Sequence, residues 1–277
     1  MFWATYKTTL KNLFRSTTFW LCLGVLVIIV VQGALSGHFV GDDDPSFVLD
    51  YRTYVQCAMN SCAAGLLMYA LPLFSIISVV IVLLRDYGDK FFEIEKSAGI
   101  RSACYLLGRI AAFTSVSTVL LLTMHHLRLH LYVFTRGGVD GISFREYFAD
   151  SFIRILRIDL FVALPCILFY IGLTYFLGAI FKNGIPAAIV SMGYVVAFYA
   201  GSFVLRHVIA PKYFDYFSPV PNKLRAYFHY YDTEWFEDMI TRQKTSVADV
   251  AFCISFLVGI AAVCSVISYF RLRRREV

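Results

Sequence analysis

Residues 63–84 read AAGLLMYALPLFSIISVVIVLL, 85–106 read RDYGDKFFEIEKSAGIRSACYL, and 107–124 read LGRIAAFTSVSTVLLLTM. The outer two blocks are apolar and the middle one alternates acids, bases and aromatics. A membrane-spanning helix needs roughly 20 mostly apolar residues, so the pattern predicts two spans joined by a short charged loop. A loop of that composition between two oily helices has the character of a docking surface.

The same signal recurs along the chain. Of its 277 residues 59% are hydrophobic and 16% charged, with mean hydropathy +0.67. An average soluble domain is about 45–50% apolar and about 25% charged. Six apolar runs stand out, at approximately 18–36, 63–84, 107–124, 158–181, 185–205 and 248–270. The expected fold is therefore all-α: a polytopic membrane protein of six transmembrane helices in a single domain, 1–277. The first run leads into Gly37-His38-Phe39-Val40-Gly41 and three aspartates with no small-residue cleavage pattern, which predicts a retained helix rather than a signal peptide.

Residues 1–17 place Phe2, Trp3, Tyr6, Leu10, Leu13 and Phe14 against Lys7, Lys11 and Arg15. That spacing predicts an amphipathic helix in the membrane interface, basic face to the headgroups. It serves either as a plain anchor or as an elbow that passes motion to the first span. Thirteen of the 25 Lys and Arg residues fall in short segments: this N-tail, the 85–109 stretch, Lys182, and the tail Arg271, Arg273, Arg274 and Arg275. The remainder are spread over longer loops that also carry Asp42, Asp43, Asp44, Glu234, Glu237 and Asp238. Short basic loops face the cytoplasm, so both termini are expected there, in a cell membrane. The excess positive charge belongs to that inner face and predicts no nucleic-acid partner.

Pro72 and Pro165 each remove a backbone hydrogen bond from an apolar run and predict kinks. Ser143-x-x-Glu146 and Ser246-x-x-Asp249 read as capping boxes starting helices. Residues 206–246 are dense in Tyr, Phe and Trp, which predicts short helices dipping into the outer interface as a hairpin before the last span. His125, His126 and His130 cluster after the third apolar run, but their spacing is not that of converging metal ligands. Interfacial histidines are the simpler expectation. The seven cysteines form no CxxC pair and are expected as small buried hydrophobes.

Motifs for chemistry are missing. The sequence has no GxxxxGK[ST], HExxH, GxSxG or Cys/His zinc spacing, so no catalytic, cofactor or metal residue is nominated. The mid-portions of the runs are nearly free of ionisable groups, which disfavours an ion-coupled carrier or a lipid-acting enzyme.

The stretch Glu93-Ile94-Glu95-Lys96-Ser97-Ala98-Gly99, followed by Arg101, Tyr105 and Arg109, resembles the loop between spans two and three in permease subunits of type-2 ABC exporters. Those proteins also have an amphipathic N-terminal helix, six spans and an outer hairpin before the last. Ile100 and Arg109 depart from the usual Ser or Thr and Lys. The resemblance implies that 85–106 is a coupling segment seated in a separate ATP-binding subunit. Asp89, Lys90, Glu93, Glu95, Lys96 and Arg101 would pair with that subunit, while Phe91, Phe92 and Ile94 would fill an apolar notch. Lys182, in the turn 181–184, would make a second contact. It further implies no enzymatic activity or cofactor in this chain, ATP and Mg in the partner, and a second permease chain in a homo- or heterodimer. The cargo would be a peptide, antimicrobial or lipid-like molecule. A non-transporting scaffold or sensor whose loop docks a cytoplasmic partner is the alternative, and a solvated turn with no partner is the simplest.

Overall fold

A computed structural model describes residues 1–36, 70–88, 97–135, 159–200 and 246–274, with the isolated positions 93, 94, 149, 152, 153, 156, 221 and 224. These residues form helices α1 (Phe2–Phe14), α2 (Thr17–Ser36), α3 (Leu71–Gly88), α4 (Ser102–Thr135), α5 (Leu164–Phe181), α6 (Gly184–Ala200) and α7 (Val247–Arg273). A π-helical turn, Asp159–Ala163, runs into α5. Among the described residues there is no strand.

Among the described residues four helical stretches are long and apolar enough to cross a membrane: Leu71–Gly88, Ser102–Arg128, Leu160–Phe181 and Val247–Arg273. A fifth arises if α1 and α2, bent by 68°, count as one broken span, and Gly184–Phe198 is a shorter apolar helix. The chain is thus a helical protein suited to the membrane. The first outer loop, most of the 206–246 hairpin and the Ser143 capping box lie outside the described residues.

Several local signals act as their chemistry demands. Ser246 caps α7: its hydroxyl accepts from the Asp249 N–H at 3.1 Å, and the Asp249 carboxylate accepts from the Ser246 N–H at 2.9 Å. Pro165 stands in the first turn of α5, directly after the π-helical turn. There its missing N–H is tolerated, and the wider turn absorbs the change of register. Pro72 likewise falls at the start of α3.

Helix boundaries correct the sequence reading. At the two ends of the 85–106 segment, α3 continues to Gly88 and α4 already begins at Ser102. Asp86, in the charged segment, and Arg109, counted with the basic 85–109 stretch, lie inside the bundle and pair with each other there. The histidines after the third run are helical. At 34 residues α4 is about 51 Å long, well beyond a hydrocarbon core of about 30 Å, and His125, His126 and His130 ride on its extension.

Packing brings the ends of α3, α5 and α7 together. Leu83 meets Gly178 and Leu84 meets Gly184, which sets the end of α3 against the α5–α6 turn. Cys166 neighbours Cys253 and Gly172 meets Ala261, so α5 and α7 run in the same direction. Their C-terminal ends therefore lie at the same end of the bundle. Helix α1 lies across α4 nearby, with Thr5, Thr9 and Leu13 buried.

That crossing depends on Gly108. A Cβ there would stand 3.0 Å from the Phe2 carbonyl oxygen and 3.0 Å from Thr5 Cβ. Gly108→Val is expected to lift α1 off α4, at a cost of about 1–3 kcal/mol. Hydrogen exchange across residues 2–14 should then accelerate, while α5 and α7 stay protected. Unchanged exchange would show that α1 is not held by this contact.

Candidate functional site at the charged end of the bundle

Of the nominated contact residues, Glu93 and Ile94 are exposed and helical. A single turn follows, in which the Ala98 N–H donates to the Ile94 carbonyl at 3.1 Å and the Ser97 hydroxyl donates to it at 2.8 Å. Gly99, at φ +81°, ends the turn. A left-handed backbone there suits glycine, which has no Cβ to clash. Arg101 is exposed, and its carbonyl accepts from the Tyr105 N–H in the first turn of α4. Asp89, Lys90, Phe91, Phe92, Glu95 and Lys96 lie outside the described residues.

Lys182 closes α5 in a left-handed conformation, φ 54°, with its N–H on the Gly178 carbonyl at 2.9 Å. Asn183 then starts α6 by accepting from the Ile185 N–H at 2.9 Å. This two-residue turn is exposed, and its Gly184 is pressed on Leu84, one residue before Arg85. Lys182 and the base of the 89–101 loop, 80 or more residues apart in sequence, therefore share one end of the bundle.

Beneath that surface is a charge cluster that the sequence reading did not single out. Arg109 Nη2 stands 2.8 Å from Asp86 Oδ1, with the two side chains 0% and 3% exposed. The Tyr105 hydroxyl donates to Asp86 Oδ2 at 2.6 Å. The Arg109 guanidinium also lies 4.5 Å from the centre of the Tyr105 ring, within the range of a cation–π contact. Tyr175, buried on α5, adjoins Tyr105. Asp86 sits in the last turn of α3, where the helix dipole disfavours an acid. The pair is thus not there for helix capping. It ties the two ends of the charged loop to each other inside the bundle.

The signal for this cluster was present in the sequence. Arg109 stands three residues into an apolar run and four after Tyr105, on the same helical face. A lone arginine in that setting needs a buried partner.

At the far part of α4, His125 is buried. The His126 ring stacks on His130 at 5.5 Å and on Phe152 at 5.3 Å. Partial burial lowers the His130 imidazole below its ordinary range. Among the described residues no three His, Cys, Asp or Glu side chains come together to hold a metal ion. No model of a known protein family matches the chain, and no curated protein matches it.

Proposed function

We propose that this chain is the membrane-spanning permease subunit of an ATP-driven exporter of the type-2 ABC class. In this reading it crosses the cell membrane six times with both termini cytoplasmic, and 206–246 forms a re-entrant outer hairpin. A second permease chain completes the path for a peptide, antimicrobial or lipid-like cargo. ATP and Mg are bound and ATP is hydrolysed in a separate subunit.

The observation that carries the reading is the buried Asp86–Tyr105–Arg109 cluster, which joins the end of α3 to the start of α4 on either side of the exposed residues 93, 94 and 97–99. A docking loop transmits force only if its two ends are fixed to the helices that must move. A buried ion pair between those ends does that, because separating it strands a charge in a low-dielectric interior. The Lys182 turn at the same end supplies a second contact. Closure of the ATP-binding subunits would then rock α3 and α4 as rigid bodies.

The test is co-purification with a P-loop ATPase encoded beside this chain. Glu93→Lys with Glu95→Lys is expected to reduce recovery of the complex at least tenfold, and ATP-dependent export from inverted vesicles should fall with it. If the complex survives both this change and deletion of 88–98, the coupling role is wrong. A protein that binds its partner but supports no ATP-dependent transport would be a scaffold.

A further inference from the structure

We propose that α1 carries a binding site selective for anionic phospholipid headgroups, formed by Lys7, Lys11 and Arg15. The inference is independent of the exporter reading. At about 100° per residue, these three cations lie on the side of α1 opposite Thr5, Thr9 and Leu13, and all three are exposed. Successive cations are about 6 Å apart along the axis. Between the buried and basic sectors lie the half-buried Phe2, Tyr6 and Leu10 and then the exposed Trp3 and Phe14. The helix therefore presents three sectors: one against protein, one aromatic and one cationic. That sequence of faces fits a helix lying at the boundary between acyl chains and headgroups.

Two features make the stripe a site rather than a diffuse charge. First, the segment that carries it supplies no competing acid. Residues 1–41 contain no Asp or Glu, and none of the three cations forms an ion pair among the described residues. Second, its orientation is fixed. Close approach at Gly108 holds one side of α1 on α4. At the other end Arg85 Nη1 donates to Asn12 Oδ1 at 3.3 Å, which adds a fourth cation there. The Trp20 indole N–H donates to the Phe14 carbonyl at 2.7 Å and secures the bend into α2. Helix α1 cannot turn its basic face inward without losing these contacts. A fixed row of cations at the interface recognises a phosphodiester with net negative charge over a zwitterion.

The experiment is native mass spectrometry of the full-length chain, titrated with phosphatidylglycerol and separately with phosphatidylcholine. The wild type is expected to prefer phosphatidylglycerol. With each basic residue contributing about fivefold, the K7Q/K11Q/R15Q variant should reduce that preference on the order of a hundredfold. The charge-preserving K7R/K11R variant should keep it, as should R271Q/R273Q/R274Q, which removes as many charges elsewhere. Equal binding of the two lipids by the wild type overturns the proposal, as does a preference that survives the α1 variant. Equal loss in the C-terminal variant would assign the effect to diffuse charge. Charge-dependent binding of poly-glutamate without any lipid preference would assign the stripe to an acidic protein partner instead. Either result overturns the lipid site.

Discussion

Arg109→Met is expected to destabilise the protein by about 3–5 kcal/mol, because it leaves Asp86 buried without its counter-ion. The geometry makes this the most exposed point of the energetics. The ion pair is 2.8 Å long and sealed from solvent, and the same carboxylate takes the Tyr105 hydroxyl at 2.6 Å. Thermal or denaturant unfolding of the purified chain in detergent measures the loss. The double variant Asp86→Leu/Arg109→Met should recover most of it, since replacing a whole buried pair by apolar residues is often neutral. Arg109→Lys should be intermediate, as an ammonium keeps the charge but not the planar fork or the stacking on Tyr105. A single Arg109→Met variant within 1 kcal/mol of wild type would show that the cluster does not hold the bundle end together. If the coupling reading is right, the stable double variant still exports poorly, because its loop ends are no longer tied by charge. Full export by that variant would remove the mechanical role while leaving the structural one.

Gly172→Leu is expected to separate α5 from α7 and to cost about 3 kcal/mol or more. Among the described helices these two make the most extensive contact. At Gly172 a Cβ would stand 3.1 Å from both Cα and the carbonyl oxygen of Ala261, and 3.3 Å from its Cβ. Two of the three nearest atoms are backbone and cannot swing aside. In lipid, where apolar surface gains nothing by leaving the tails, such close backbone approach is a main source of helix association. Ala261→Gly should therefore rescue Gly172→Ala only in part, since it removes a single one of the crowding atoms. Cross-linking between Cys166 and Cys253, which are neighbours on these helices, provides a readout besides unfolding: its yield should drop in Gly172→Leu. An unchanged yield with wild-type stability would mean the two helices can repack around the larger side chain.

How much of this was legible beforehand depends on the range of the interaction involved. The α7 capping box was readable because a hydroxyl and a carboxylate three residues apart must meet the first backbone N–H groups of the same turn. The amphipathic α1 was readable from its own periodicity, but not the contact that orients it, which runs through Gly108 about a hundred residues away. The exposed residues 93, 94 and 97–99 were marked by the charges around them. The buried pair between the two ends of that loop was not singled out, because a charged residue next to an apolar run signals the membrane edge equally well. Only the position of its partner tells the two cases apart. The long α4 was cut short for the same reason, since its polar extension resembles a loop until the helix is seen to continue.

By itself, the sequence determined that this is an all-helical chain suited to a membrane, with its basic segments short and its apolar runs long. Transfer of side chains from water to lipid is a local property, additive along the chain, and composition reports it directly. The tertiary structure alone decided that Asp86 and Arg109 belong inside, that the Lys182 turn stands beside the base of the charged loop, and that α1 turns its basic face outward. Those outcomes depend on which helices approach closely enough for a glycine to be required and for a charge to find its counter-ion. The approach is set by packing between residues far apart in sequence.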